Sequence, residues 1–236
     1  MVELFQFGIN NCYVLSGAKY AILIDTCPER YANALFETVK HKNITLLLLT
    51  HGHADHIGSA KYISKKLHIP IAMHKKDEIL IQQPSAQKMT ACTPFGWISC
   101  QTIKHQKPVS FFEPDVFVTH GQRLEEYGVK GRIFALSGHT EGSIGVWTPN
   151  KEFLVGDAMM HISPFLKPCL YHNQYDMERS YHNISQSDAT SIYMGHGKPI
   201  FRQNTFIKCI RMQMSKSFVF TASCRQHCQI EKKRKS

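Results

Sequence analysis

Three imidazoles and a carboxylate fall within the stretch His51-Gly52-His53-Ala54-Asp55-His56, directly after the apolar run from Ile44 to Leu49. Such a set is costly to bury without a partner, and a metal ion is the natural one. On a loop leaving a strand, alternate residues His51 and His53 can face one tetrahedral site. Asp55 and His56 then swing toward a second site as the chain turns into a helix. The motif therefore asks for a strand, a tight loop and a helix start in succession. The segment from Ala54 to Leu67 supplies the helix, with Ile57, Tyr62 and Ile63 at helical intervals and Lys61, Lys65 and Lys66 left for solvent.

Three later segments repeat the pattern of a ligand-type side chain after an apolar run. They are Ser137-Gly138-His139-Thr140, Gly156-Asp157 after Phe153-Leu154-Val155, and Gly195-His196-Gly197 after Ile192-Tyr193-Met194. Neighbouring glycines let the backbone approach a crowded centre. Taken singly, each is an ordinary core or loop residue; together with the first cluster they point to a dinuclear site.

Elsewhere the chain alternates short strands with helices. Glu3 to Phe7, Asn11 to Leu15 and Tyr20 to Asp25 read as a meander of strands, and Pro28 to His41 as a helix. Ile69 to Met73 reads as a strand and Lys75 to Gln82 as a short helix. From Gln83 to Pro114 the pattern dissolves into an irregular excursion suited to a lid or a dimer contact. Strands resume at Val116 to Thr119, Val129 to Ala135, Ser143 to Thr148, Glu152 to Val155 and Ser191 to Met194. Helices are expected at Met177 to Ser185 and Asn204 to Met214. Residues 1–200 are read as one layered α/β domain, and residues 201–236 as a C-terminal helix with a basic tail.

The motifs resemble the metallo-β-lactamase superfamily of hydrolases. The family's H-x-H-x-D-H stands here as His51, His53, Asp55 and His56, its next histidine as His139, its bridging aspartate as Asp157 and its last histidine as His196. The strand motif Ile24-Asp25-Thr26 also matches, with an aspartate that supports the metal-binding loop in the family. The resemblance runs from about Asn11 to Pro199. It implies a four-layer αββα sandwich with two divalent ions at one edge of the sheets. His51, His53 and His139 would hold one ion, Asp55, His56 and His196 the other, and Asp157 would bridge them. Zinc is the first expectation, with iron and manganese as competitors, because imidazole and carboxylate donors are not selective by themselves. A metal-bound hydroxide, available at neutral pH, would be the nucleophile, with Asp55 as the catalytic residue that orients it.

Branches of the family separate on what this chain carries. His53 stands where flavodiiron proteins have glutamate, and Asp157 and His56 are unlike the commonest zinc β-lactamases. Nucleases of the β-CASP type need a large domain between the last motifs, which this chain has no room for. Compact enzymes similar to glyoxalase II, lactonases and mononuclear-iron persulfide dioxygenases remain. The expected function is cleavage of an ester, thioester or lactone. A phosphodiesterase or nuclease with the same centre, and a metal-binding module without catalysis, are the alternatives. Met159 to Tyr175, with its methionines, aromatics, His161 and His172, is expected to wall the cleft.

The net charge of +10 would suggest nucleic acid if it were spread over the domain. It is not: residues 201–236 hold nine basic residues against Glu231 alone, +8 of the total. A small-molecule substrate is therefore expected, with nucleic acid left to the basic tail and a homodimer to the excursion. No run reaches the roughly 18 apolar residues of a membrane span, and the start from Met1 to Gln6 lacks a secretory pattern, so the cytoplasm is expected. The eight cysteines show no C-x-x-C spacing and are expected as thiols.

Overall fold

The computed structural model describes residues 1–161 and 168–201. The expected helix from Asn204 to Met214 and the basic tail lie outside the described residues. The strands are β1 (Val2–Phe7), β2 (Asn10–Ser16), β3 (Ala21–Ile24), β4 (Ile44–Leu48), β5 (Ile71–Met73), β6 (Thr90–Ala91), β7 (Val116–Phe117), β8 (Arg132–Ala135), β9 (Ile144–Trp147), β10 (Glu152–Gly156), β11 (Leu170–Tyr171), β12 (Ser191–Met194) and β13 (Ile200–Phe201). The α-helices are α1 (Ala32–Val39), α2 (Ala54–Ile57), α3 (Ala60–Leu67), α4 (Ile79–Gln82), α5 (Pro94–His105) and α6 (Gln174–Gln186).

Two sheets form the centre, in the orders β1-β2-β3-β4-β5-β7 and β13-β12-β10-β9-β8. The period-two alternation of a strand decides which layer each side chain enters. Leu46 and Leu48 of β4 join Ile22, Ile24, Ile133, Val146 and Leu154 in the core between the sheets. Leu47 and Leu49 point the other way, into the layer shared with Leu35 and Val39 of α1 and Ile63 of α3. Phe153 and Val155 of β10 likewise meet Tyr181 and Ile184 of α6 behind the second sheet. These layers are the expected αββα sandwich.

Strands β3, β4, β5 and β7 run parallel, and so do β10 and β12. Parallel pairing brings their carboxyl ends to one edge, where the chain leaves β4 toward His51, β10 toward Asp157 and β12 toward His196. Among the described residues no helix is long and apolar enough to cross a membrane, and none of the five described cysteines is in a disulfide.

The largest departures from the sequence reading are two. The helix expected over Ala54 to Leu67 is broken at Gly58 and Ser59, where Ser59 Oγ donates to the Cys27 carbonyl at 2.8 Å and holds the chain against the first sheet. The excursion from Gln83 to Pro114 contains the twelve-residue helix α5, capped by Thr93 Oγ1, which accepts from Gly96 N at 2.9 Å. A two-stranded sheet of β6 and β11 lies beside it.

Candidate metal centre

All seven residues singled out from the sequence arrive at the same edge of the sandwich. Donor atoms of His51, His53 and His139 lie within 4.8 Å of one another, and so do those of Asp55, His56 and His196. Asp157 stands between the two triads. Its Oδ2 is 3.8 Å from His51 Nε2, 3.4 Å from His139 Nε2 and 3.3 Å from His196 Nε2, and its Oδ1 is 3.6 Å from His56 Nε2. The approach is tight enough that a Cβ on Gly195 would sit 2.1 Å from Asp157 Oδ1, so a side chain there would displace the carboxylate.

The outward nitrogens are held by the fold, which fixes what the inward ones can do. His139 Nδ1 donates to the Leu170 carbonyl at 3.2 Å and His196 Nδ1 to the Ile9 carbonyl at 2.9 Å. His56 Nδ1 meets Asp25 Oδ2 at 3.1 Å, and His51 Nδ1 meets Thr50 Oγ1 at 3.1 Å. In these four rings Nε2 is the nitrogen left facing the centre. His53 instead turns Nδ1 inward, 2.9 Å from His139 Nε2.

This arrangement fits a divalent cation better than it fits an internal hydrogen-bond network. Among the described residues the buried atoms His51 Nε2 and Asp157 Oδ1 have no hydrogen-bond partner, and His56 Nε2 faces His196 Nε2 at 3.3 Å. Burial lowers the pKa of His53 and of His139 to about 4 and that of His51 well below its usual value, which keeps these rings neutral and able to coordinate. Burial also works against charge on His56, but Asp157, Asp55 and Asp25 outweigh it and raise that ring to about 10. Asp157 is held below the usual carboxylate range because His196 and His56 overcome its burial.

Asp55 differs from the other donors in being partly exposed, its side chain 39% accessible. Asn10 Nδ2 donates to its Oδ2 at 2.8 Å, and His196 Nε2 lies 3.4 Å away. The sequence reading did not find Asn10, which opens β2 just after the tight turn from β1 and carries no motif. It also missed Asp77, Gln87 and Thr140, which tie the ligand loops together.

The segment expected to wall the cleft divides in role. Met159 is in the core behind the second sheet, and Met160 packs with Cys100, Cys169 and Leu170. His172 Nε2 meets Glu141 Oε1 at 3.3 Å and its Nδ1 the Lys88 carbonyl at 3.0 Å, and Tyr171 donates to Gln174 at 3.3 Å. His161 Nδ1 meets the Lys198 carbonyl at 2.9 Å. Pro164, Phe165 and Leu166 lie outside the described residues.

The family model of the metallo-beta-lactamase superfamily matches residues 6–196. Among curated proteins, the chain is 25% identical over 152 residues to an uncharacterized protein of Aquifex aeolicus, covering 64% of this chain and 65% of that one. It is 30% identical over 149 residues to hydroxyacylglutathione hydrolase GloC of Haemophilus influenzae, covering 61% of this chain and 63% of that one. The match thus spans just under two thirds of the length of both relatives. Of solved structures, the BLEG-1 B3 metallo-beta-lactamase superposes with a TM-score of 0.67 at 22% identity, over 87% of this chain and 96% of its own. A metallo-beta-lactamase family protein, TTHA1429 from Thermus thermophilus, gives 0.64 at 21% identity, over 91% and 79%. At these identities the two structures speak for the fold alone.

Proposed function

The chain belongs to the metallo-beta-lactamase superfamily, and on that premise we propose that it is a metal-dependent hydrolase of esters, thioesters or lactones. His51, His53 and His139 would hold one divalent ion and Asp55, His56 and His196 a second, with Asp157 shared between them. Zinc is the first choice, and iron or manganese would suit the same donors. When bound, such ions supply Lewis acidity and a water acidic enough to ionise near neutral pH.

The observation that carries the reading is the contrast between Asp55 and the six other donors. Those six are buried, four of their rings being held from outside by neighbouring groups, whereas Asp55 sits at the rim with one oxygen held by Asn10. A carboxylate so placed can orient an entering water and accept its proton. The buried imidazoles, aimed by Asp25, Thr50 and the carbonyls of Ile9 and Leu170, keep the electrostatic field around the reacting group fixed, so little reorganisation is needed. Similarity to a hydroxyacylglutathione hydrolase favours the thioester among the acyl substrates.

The test is metal analysis of the purified chain together with a panel of thioesters, esters, lactones and phosphodiesters. About two bound ions per chain and turnover of an acyl substrate are expected. Occupancy below one ion after loading, or full occupancy with no acyl turnover, overturns the reading.

A further inference from the structure

The two loops that form the first histidine triad come from different sheets, with His53 and His139 separated by 86 positions. Both loops close on one side chain that is not a ligand. Asp77 ends a single 3-10 turn, Lys75–Asp77, just after β5, and it is fully buried. Its Oδ2 accepts from Gly52 N at 2.9 Å and from Thr140 Oγ1 at 2.6 Å. Its Oδ1 accepts from Gly142 N at 2.8 Å and from Gln87 Nε2 at 3.0 Å. Gly52 lies between His51 and His53, and Thr140 follows His139, so the contacts fall one residue from the ligands on either side.

Each carboxylate oxygen takes two donors, all of them neutral. Among the described residues this carboxylate forms no ion pair, and a buried negative charge of that kind is tolerable only while such donors stay in place. The charge therefore acts as a geometric constraint: separating the loops strips donors from it. Gln87 extends the constraint, because its Oε1 accepts from Glu141 N at 2.8 Å and its Nε2 also reaches the Lys76 carbonyl at 3.2 Å.

We infer that Asp77 is a positioning residue that sets the separation of the two loops bearing His51, His53 and His139, and thereby the affinity of that triad for a divalent ion. The inference rests on the metal-centre reading above. Asp77 itself, with both oxygens occupied, binds no metal. An asparagine at this position would keep the shape but turn an NH2 group toward two of the donors.

The experiment is a cobalt(II) titration of the full, metal-stripped chain, followed by visible absorption and by competition with a chelator. It compares the parent, Asp77→Asn, His196→Ala and the double variant, since His196→Ala leaves the first triad to be read by itself. Adding Asp77→Asn to His196→Ala is expected to weaken cobalt binding about ten-fold or more and to alter its absorption bands. Circular dichroism checks folding. If Asp77→Asn does not fold, Thr140→Val takes its place, removing one donor and leaving the carboxylate; a smaller loss in the same direction is expected. Cobalt affinity and bands unchanged in the folded variant overturn the inference. A parent chain that binds no cobalt overturns the metal-centre reading itself, and this inference with it.

Discussion

Asp25 Oδ2 lies 3.1 Å from His56 Nδ1 and also accepts, at 2.7 Å, the hydroxyl of Thr50, whose oxygen meets His51 Nδ1 at 3.1 Å. One carboxylate oxygen thus fixes a histidine of each triad, directly for His56 and through Thr50 for His51. Asp25 Oδ1 accepts the Thr50 amide at 2.7 Å, and these bonds hold the residue at a φ of 60°, a left-handed backbone that a non-glycine residue adopts only when its surroundings demand it.

Asp25→Ala should therefore weaken both triads, unlike a change at Asp77. Loss of a partner that orients a ligand typically lowers metal affinity by about 10- to 100-fold. The buried Thr50 amide would also lose its acceptor, at a cost of roughly 1–3 kcal/mol. Chelator competition and thermal unfolding measure the two effects, and a variant that kept its metal as tightly as the parent would contradict this account of Asp25.

Asp55→Ala should remove turnover while leaving the fold intact, because the side chain is partly exposed and packs no core. General-base assistance is worth roughly 10²–10⁴ in rate, so the loss should appear in kcat. Asn10→Ala, which leaves the carboxylate but frees it to turn, should lose less. Steady-state kinetics on whichever acyl substrate the panel identifies would decide, and an Asp55→Ala enzyme within a factor of about two of the parent would remove this residue from the reaction.

The seven residues that gather at this edge were legible in the sequence because each lies at or just beyond the end of an apolar strand and four of them are nearly adjacent, so local pattern and chemistry agree. Asp77 was not. It sits in Lys75-Lys76-Asp77-Glu78, a charged run that reads as a solvated face, and only the packing of two distant loops reveals that one of the four residues is buried. Helix α5 was missed for a related reason. Thr93-Pro94 is a sound helix start, but Phe95, Trp97 and Ile98 are all exposed and blur the apolar period that would have announced the helix. The two-residue strands β6, β11 and β13 are products of tertiary pairing and have no periodicity of their own.

The metal-free chain should be most stable near pH 6.5. His53 and His139, lowered to about 4 by burial, bind no proton in the fold between about pH 4 and 6.5, whereas an unfolded histidine with a pKa near 6.5 does. Stability therefore falls as the pH drops through that window. His56 acts in the opposite sense. Its pKa is raised to about 10, so its contribution is complete below pH 6.5 and is lost as the pH climbs toward 10. Unfolding midpoints of the chelator-treated protein across this range would show the maximum; a midpoint that rose steadily to pH 9 would refute it.

Gly96→Ala and Trp97→Ala should separate seating from exposure in α5. A Cβ on Gly96 would lie 1.9 Å from the Cys169 carbonyl oxygen, so the helix touches the segment leading into β11 at a point where only glycine fits. Alanine there forces the helix away, at a cost of about 1–3 kcal/mol for overpacking. The shift should reach the metal edge, because Leu170, the next residue, accepts from His139 Nδ1 and so orients a ligand of the first triad. Trp97 is 55% exposed, and its replacement should change stability by no more than about 0.5 kcal/mol. The expected outcome is a lower unfolding midpoint and weaker cobalt binding for Gly96→Ala, with neither effect for Trp97→Ala. Equal midpoints for the two variants would mean that α5 is not seated on Cys169 and carries no restraint to His139.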